Sequence, residues 1–436
     1  MCIFCFSGCA VFTGYDQDIH EYENDVYLQN CDFKRYKNAI DSNDDRLYWA
    51  LKGGMLARYC KNYNQSNIFF DVAEDEFRNS VDLKGFVYTL TQDFTSTILN
   101  DNIRDYTGNV YERIMANVYK GLNFMSLDNM PYARVEFNRA LYRQQVAKEQ
   151  YVDEINKARE NAIAKASNMG SDTTYNMQSI NEAYKYFDEK SFYYDITSNF
   201  INPFATYMSG LFYLLDKDYL KAQNMFEELV LADSKNPQLS NDLDYAKNRN
   251  ENKQIWLIYE NGKSVGLKEE IYHIPLFLFS DRIYHIGLAF SVLSEPKYSF
   301  SYINLNGYKT SIIADMNAII ATEYKSSSYI KIIRAILGSI SKISMQYGAS
   351  RLDNGSYIST LLLSIYSFVT TRADIRHIST MPSNFQSVSI KNTGMAVISD
   401  ENGAIITNIE VNKDKNVIIY VKSLSKDFNI IDKIEI

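Results

Sequence analysis

One spacing of residues recurs three times along the chain, and it constrains the fold more than any other feature. A glycine is followed by a small residue twelve positions later, by a phenylalanine four positions after that, and by a small or apolar residue after three more. The three sets are Gly54, Ser66, Phe70 and Ala73; Gly121, Ala133, Phe137 and Ala140; and Gly210, Ala222, Phe226 and Leu229. A fixed spacing of this kind predicts a repeated supersecondary unit.

This spacing is typical of the tetratricopeptide repeat (TPR), a pair of antiparallel helices. The small residues let the two helices approach closely, and the phenylalanine fills the groove between them. The sets lie further apart than one unit of about 34 residues, so other segments separate them. One is the charged stretch LYRQQVAKEQYVDEINKARENAIAKA, which we expect to extend the second helix of the second unit. We predict a TPR-like helical region over residues 36–250, with a generic helical bundle as the alternative.

The chain changes character after about residue 250. QIWLIYENGKSVG predicts two strands joined by a turn at Asn261 and Gly262, and further strand-like runs are IYHIPLFLF, YHIGLAFSVL, QSVSIKN, GMAVISDENGAIITNIEV and KNVIIYVKSL. Two segments with helical periodicity, IKIIRAILGSISKISMQYG and SYISTLLLSIYSFVTTRA, interrupt them. The predicted fold class is α+β: an N-terminal α-helical TPR-like solenoid, then a mostly antiparallel β domain over residues 251–436 with an inserted helical pair.

Charge and hydropathy limit the partners of such a chain. The formal net charge is -8 and no block of lysine or arginine occurs, which argues against nucleic acid as a partner. Residues 354–371 contain no charged residue. Their serines, threonines and tyrosines favour a buried core helix over a membrane span.

The opening residues, MCIFCFSGC, end in a pattern of their own. FSGC at residues 6–9 resembles the lipobox of bacterial lipoproteins, which is an apolar residue, two small residues and a cysteine that receives lipid. We interpret residues 1–9 as a truncated lipoprotein signal, Cys9 as the lipid attachment residue and residues 10–35 as an acidic tether. Ala10 favours the outer membrane, because an aspartate after the cysteine usually retains such proteins in the inner membrane. An apolar terminus without lipid is the alternative.

The remaining cysteines and the histidines form no recognisable catalytic or metal motif. Cys31 and Cys60 lie outside any CxxC motif, and we interpret them as two isolated thiols, with one disulfide as the alternative. HExxH, GxSxG, Walker A and dinucleotide-binding glycine motifs are all missing. His273 and His285 each follow a tyrosine in an apolar run and are expected to be ordinary sheet residues. We therefore predict no metal, no cofactor and no enzymatic activity.

Candidate contacts with a partner come from two places. On the first helices of the second and third units, the residues expected to be exposed are Asn117, Lys120, Asn123, Thr206 and Tyr213. Further along the chain, Arg372, Asp374 and Arg376 alternate on a predicted strand and would share one face. That face is either a charge ladder that fixes strand register or a site for an anion or a carboxylate.

The chain as a whole resembles an uncharacterised family of bacterial TPR-containing lipoproteins, which have TPR-like helices followed by a C-terminal α+β domain. The stretches that carry the resemblance are FSGC at residues 6–9, LNDNIRDYTGNVYERIMANVYKGLNFMSLDNMPYARVEFNRA at residues 99–140 and TTRADIRHISTMPSNFQ at residues 370–386. The resemblance implies a location and an architecture, and it implies no chemistry.

These observations lead to one leading functional prediction and two alternatives. The leading prediction is a lipoprotein anchored on the periplasmic face of the outer membrane, a non-catalytic TPR scaffold that binds other cell envelope proteins or peptides. One alternative is an envelope hydrolase or carbohydrate-processing enzyme whose site lies in the C-terminal domain. The other is a cytoplasmic TPR adaptor without lipid.

Overall fold

The computed structural model of the protein describes residues 15–43, 45–79, 106–168, 202–275, 285–328 and 373–436. Helices fill most of the described chain up to residue 247 and strands most of it from residue 254, which confirms the α+β class. The helices are α1 (Tyr15–Tyr27), α2 (Lys34–Asp41), α3 (Arg46–Tyr59), α4 (Tyr63–Phe77), α5 (Val110–Ser126), α6 (Met130–Asn168), α7 (Pro203–Leu215), α8 (Tyr219–Ala232) and α9 (Pro237–Lys247). Residues 316–328 are also helical.

Asparagine side chains cap the N-termini of three of the described helices. Asn62 accepts a hydrogen bond from the backbone N–H of Gln65 at the start of α4. Asn202 and Asn236 cap α7 and α9 in the same way, and each is followed by a proline at the first helical position. These residues satisfy backbone donors that a helix start leaves unpaired, and proline there has no N–H to lose.

The repeated glycine and phenylalanine positions meet in three helical hairpins, α3–α4, α5–α6 and α7–α8. A Cβ added at Gly54 would lie 2.5 Å from the ring of Phe70, and one added at Gly121 would lie 2.8 Å from the ring of Phe137. Gly210 stands in the same relation to Phe226, at 3.1 Å. The other repeat residues are also buried: Ser66, Ala73, Ala133, Ala140, Ala222 and Leu229. The spacing therefore marks a close helix contact each time, as predicted.

The second hairpin is asymmetric because its second helix is very long. Helix α6 runs for 39 residues, from Met130 to Asn168. The charged stretch after Ala140 does extend the second helix of this unit, as the sequence predicts.

Strands form three sheets in the described residues. The strands are β1 (Gln254–Asn261), β2 (Leu267–Pro275), β3 (His285–Leu293), β4 (Asn304–Leu305), β5 (Tyr308–Lys309), β6 (Ser311–Asp315), β7 (Asn384–Lys391), β8 (Met395–Ser399), β9 (Ile405–Glu410), β10 (Val417–Ser425) and β11 (Phe428–Glu435). A five-stranded sheet has the order β11-β10-β1-β7-β6, a four-stranded sheet the order β5-β4-β8-β9, and β2 pairs with β3. Only the pairing of β1 with β10 is parallel among these described strands, so the region is mostly antiparallel as expected.

The predicted hairpin at Asn261 and Gly262 is wrong. Strand β1 pairs with β10 on one side and with β7 on the other, so neither edge is left for the residues that follow it. Gly262 has φ +63°, and a Cβ there would lie 1.9 Å from the carbonyl oxygen of Lys297. The Asn-Gly turn thus carries the chain across the backbone of Lys297 instead of back along β1.

The sequence predicts an acidic tether over residues 10–35, and this prediction is wrong where the structure describes them. Residues 15–27 form α1, which buries Ile19, Tyr22 and Val26. The Tyr22 hydroxyl lies 2.6 Å from the hydroxyl of Thr380. The helix is therefore part of the packed body. Cys9 and the FSGC pattern lie outside the described residues.

The interpretation of Cys31 and Cys60 as isolated thiols is also wrong. The two sulfurs form a disulfide between residues that are 29 positions apart. It joins the segment before α2 to the end of α3. Sequence spacing alone left this pairing open, because a disulfide depends on the distance between two Cα atoms, here 5.9 Å.

Side chains on the two faces of β1 join two different cores, which gives the molecule three layers. Trp256 and Ile258 belong to the large cluster that also contains Phe137 and Phe226 of the helical hairpins. Ile255, Leu257 and Tyr259 alternate with them, and their cluster includes Leu305 and Ile398 of the four-stranded sheet. The five-stranded sheet is therefore the middle layer, and the helical and β regions share one core. The inserted helical pair, predicted at residues 330–348 and 356–373, lies almost entirely outside the described residues.

Candidate functional site

Three of the predicted partner contacts lie in the seams between helical hairpins, where they are buried. The Lys120 ammonium is 2.8 Å from Asp71 and 3.0 Å from Glu136. Asn117 donates to Glu136 at 2.6 Å, and Asn123 donates to the hydroxyl of Ser66 at 2.9 Å. The expectation that these side chains are exposed is wrong, because neighbouring helices supply partners for their polar groups.

Thr206 and Tyr213 on α7 are buried in the same manner, against the long helix α6. Gln144 donates to the Thr206 hydroxyl at 2.9 Å, and the Tyr213 hydroxyl donates to Asn138 at 2.5 Å. The predicted exposure of both residues is therefore wrong too.

A second side of the first helices is covered by the chain's own β region. The ring of Phe204 stacks on Phe385 of β7 with centroids 3.5 Å apart. The Tyr207 hydroxyl lies 2.8 Å from the hydroxyl of Ser387, and Tyr119 donates to the sulfur of Met381 at 3.8 Å. The C-terminal region therefore covers this side of α5 and α7.

The predicted charge pattern around Asp374 is a buried ion-pair cluster. Arg376 donates to both oxygens of Asp374, at 2.9 and 2.8 Å, and also to Asp45. Its guanidinium lies 4.7 Å from the ring centroid of Tyr15. Residues 373–378 are not a strand, and Arg376 is almost fully buried, so the predicted charge ladder on a strand face is wrong. Arg372 lies outside the described residues.

A second buried charge cluster, which sequence reasoning missed, lies where the helices meet the five-stranded sheet. Tyr420 donates to Glu260 at 2.5 Å, and Lys422 donates to the backbone oxygen of Arg58 at 3.1 Å and pairs with Asp432 at 3.0 Å. Burial raises the pKa of Glu260 and lowers the pKa of Lys422. The signal in the sequence is a charged residue inside an apolar strand, as in LIYEN and IIYVKSL.

Asp242 on α9 is a third buried acid. It accepts hydrogen bonds from the indole of Trp256 at 2.9 Å, from the Tyr207 hydroxyl at 2.8 Å and from Gln238 at 2.8 Å. Burial raises the pKa of Asp242 to about 6, although these donors oppose the shift. These hydrogen bonds join α7, α9 and β1, so Asp242 links three elements of the structure.

These clusters are internally paired, and their geometry is that of structural polar networks. Among the described residues, no group of three or more histidine, cysteine, aspartate or glutamate side chains is placed to hold a metal ion. His273 and His285 lie in β2 and β3, where their backbones face Gly287 and Pro275.

The outer surface of the helical layer differs, because it exposes large apolar side chains. We define the outer patch as Tyr132, Val135 and Tyr142 of α6 and Leu220 of α8, whose exposed fractions are 59, 43, 70 and 70%. The three α6 residues are spaced by three and seven positions, which places them on one side of the helix.

Ion pairs connect α6 to the turn that precedes α8. Arg134 donates to Asp216 at 2.9 Å and to Asp218 at 3.2 Å in the turn before α8. Tyr132 also packs on Phe124 with centroids 5.3 Å apart. The patch is thus held on rigid elements. Its sequence signal is the apolar spacing within a helix that is otherwise charged.

Comparison of the chain with protein-family models, with curated protein sequences and with solved structures gives no match. The described helices include none with the length and apolar content needed to cross a bilayer. The charge-free residues 354–371 lie outside the described part of the chain.

Proposed function

We propose that the protein is a lipid-anchored, non-catalytic binding component of the bacterial cell envelope, and that it holds another envelope protein on the outer patch. In this proposal the helical hairpins are TPR-like units. Their number and shared glycine–phenylalanine contact support that assignment, as does the contact of α4 with α5 and of α6 with α7 between successive hairpins.

The single observation that carries the proposal is the contrast between the outer patch and the rest of the helical layer. The predicted contact residues of the first helices, such as Lys120 and Thr206, are already paired within the chain, so a partner would have to displace those bonds to reach them. Tyr142 and Leu220 of the outer patch, by contrast, are each 70% exposed. Large side chains on rigid helices surrounded by polar residues are typical of the centre of a protein interface.

A protein partner fits the patch better than a bilayer surface. The polar surroundings include both members of the pairs formed by Arg134 with Asp216 and Asp218, so positive and negative charges lie side by side. A polar rim of mixed charge around an apolar centre is typical of protein interfaces, whereas membrane-binding faces are rich in lysine and arginine.

The disulfide between Cys31 and Cys60 supports an envelope location over a cytoplasmic one. Disulfides persist in oxidising compartments such as the bacterial periplasm and are rare in the cytosol. This finding favours the lipoprotein proposal for Cys9 over the alternative of a cytoplasmic adaptor.

Photocrosslinking in intact cells tests the proposed surface. A benzophenone amino acid is introduced at Tyr132 or Tyr142, and at Tyr308 as a matched control, because Tyr308 is 63% exposed on β5. We expect one defined crosslinked protein from the two patch positions and none of that product from Tyr308. The same product from all three positions, or no product from the patch, would contradict the proposal.

Cell fractionation tests the proposed anchor separately. In a full-length gene, Cys9→Ser should release the protein from the membrane fraction, whereas Cys5→Ser should leave it there because Cys5 precedes the lipobox. Release by both substitutions, or by neither, would place the anchor elsewhere.

A further inference from the structure

A small open pocket lies where the start of α5, the segment before β2, the 316–328 helix and the segment containing His377 meet. Apolar and aromatic side chains line most of it, and Asn109, Ser327 and His377 add polar groups; the apolar and aromatic residues are Tyr111, Val265, Leu267, Ile320 and Tyr324. Its enclosed part has room for little more than one water-sized group, and the remainder opens to solvent. A ligand would therefore insert one small group and leave its bulk in the mouth.

His377 presents a hydrogen-bond acceptor to this pocket. Its Nδ1 lies 2.8 Å from the carbonyl oxygen of Ile375, which can only accept, so Nδ1 carries the proton in the neutral ring. Nε2 then bears a lone pair, and it has no hydrogen-bond partner among the described residues. Burial lowers the pKa of His377, which favours this neutral form at neutral pH.

Gly266 supplies the space beside that nitrogen. A Cβ at this position would lie 2.3 Å from Nε2 of His377. The backbone of Gly266 does not have a positive φ, so any side chain is excluded by the imidazole ring and not by backbone strain. Every residue other than glycine would fill the approach to Nε2.

The described residues that line the pocket are uncharged, which restricts the ligand. Two carboxylates lie close by, but both are bonded to the backbone at the start of α5. Glu323 accepts from the N–H groups of Val110 and Tyr111, and Glu112 accepts from the N–H of Asn109. A charged ligand would find no counter-charge at the walls, and burying it unpaired would be costly.

We propose that this pocket binds a small neutral ligand that donates one O–H or N–H group to Nε2 of His377 and rests its apolar part against Leu267 and Tyr111. The site is separate from the outer patch, and its existence does not depend on the function proposed above.

Phenol and toluene are matched probes for this site, because they have the same shape and only phenol donates a hydrogen bond. Binding of each is measured by chemical-shift titration on the wild-type protein and on His377→Phe, which keeps a ring but removes the acceptor. We expect the substitution to reduce the affinity for phenol, relative to that for toluene, by roughly 3- to 10-fold, the usual effect of one hydrogen bond. Gly266→Ala should abolish binding of both probes.

A direct spectroscopic measurement keeps the proposal testable if a variant does not fold. In the wild-type protein with labelled histidine, phenol should shift the ¹⁵N resonance of the unprotonated Nε2 of His377, and toluene should not. The proposal is overturned if phenol does not bind, if both probes shift this resonance equally, or if a folded His377→Phe variant weakens both probes by the same factor.

Discussion

The interior of the helical layer contains polar side chains, and its outer patch exposes apolar ones, which is the reverse of the usual arrangement in a soluble protein. Lysine, asparagine and threonine side chains lie inside, as at Lys120 and Asn117, whereas tyrosine and leucine side chains lie outside, as at Tyr142 and Leu220. A polar group on a helix is therefore buried where another part of the chain supplies its partner. An apolar group stays exposed where no described segment covers it.

Removing Lys120 should have the largest effect on the interior. Lys120→Met removes the buried cation of Glu136 and leaves the half-exposed Arg139, at 2.8 Å, as its charged partner. We therefore expect a loss of about 3 kcal/mol of unfolding free energy, the lower end of the range for breaking a buried pair. Urea denaturation followed by circular dichroism measures it.

Lys221→Met is the matched control, because Lys221 is half exposed and pairs with Asp218 at 3.8 Å. We expect a loss of no more than about 1 kcal/mol, as for exposed ion pairs generally. Equal losses from the two variants would show that Lys120 is not buried in a required pair.

The second prediction concerns pH and Asp242. Its pKa is about 6 in the folded protein, against about 3.9 for an unfolded aspartate, so the folded state binds more protons between these values. This group therefore contributes stability that is complete below about pH 4 and is lost as the pH rises through 6. Relative to Asp242→Asn, the wild-type protein should lose roughly 2 kcal/mol between pH 4 and pH 7.

Trp256 donates to Asp242, so its fluorescence can report unfolding at each pH. Asp244→Asn is the control, since Asp244 is exposed on the same helix. If the difference between the wild-type protein and Asp242→Asn does not change with pH, the carboxyl group of Asp242 is not perturbed by burial.

Substitutions that enlarge a side chain should affect stability differently at two positions of α6, one in the hairpin contact and one in the outer patch. Ala133 is fully buried against the first helix of its hairpin, so Ala133→Leu should overpack the contact and cost about 1–3 kcal/mol. Val135→Leu, two positions along α6 and 43% exposed, should change the unfolding free energy by less than about 0.5 kcal/mol. Tolerance of Ala133→Leu would contradict the close contact.

What the sequence predicted correctly depends on residues that are close together in the chain. The glycine–phenylalanine contacts join positions sixteen apart, and the extension of α6 follows from a continuous helical pattern. The strands that pair with β1 lie far from it in the sequence, at residues 384–391 and 417–425. The local turn signal at Asn261 therefore predicts the wrong pairing. The wrong prediction for Lys120 and Tyr213 has a similar cause. Their polarity favours exposure, and the sequence does not show which helices pack against them.

The smallest expected effect on stability is at the outer patch. Tyr142 is 70% exposed, so Tyr142→Ala should change the unfolding free energy by less than about 0.5 kcal/mol. If the patch holds a partner, the same substitution should weaken binding of the purified crosslinked protein at least tenfold, because exposed aromatic anchors carry much of the energy of an interface. Tyr308→Ala should alter neither quantity. A large loss of stability in Tyr142→Ala would mean that this side chain packs within the molecule, and the outer patch would then no longer be a free surface.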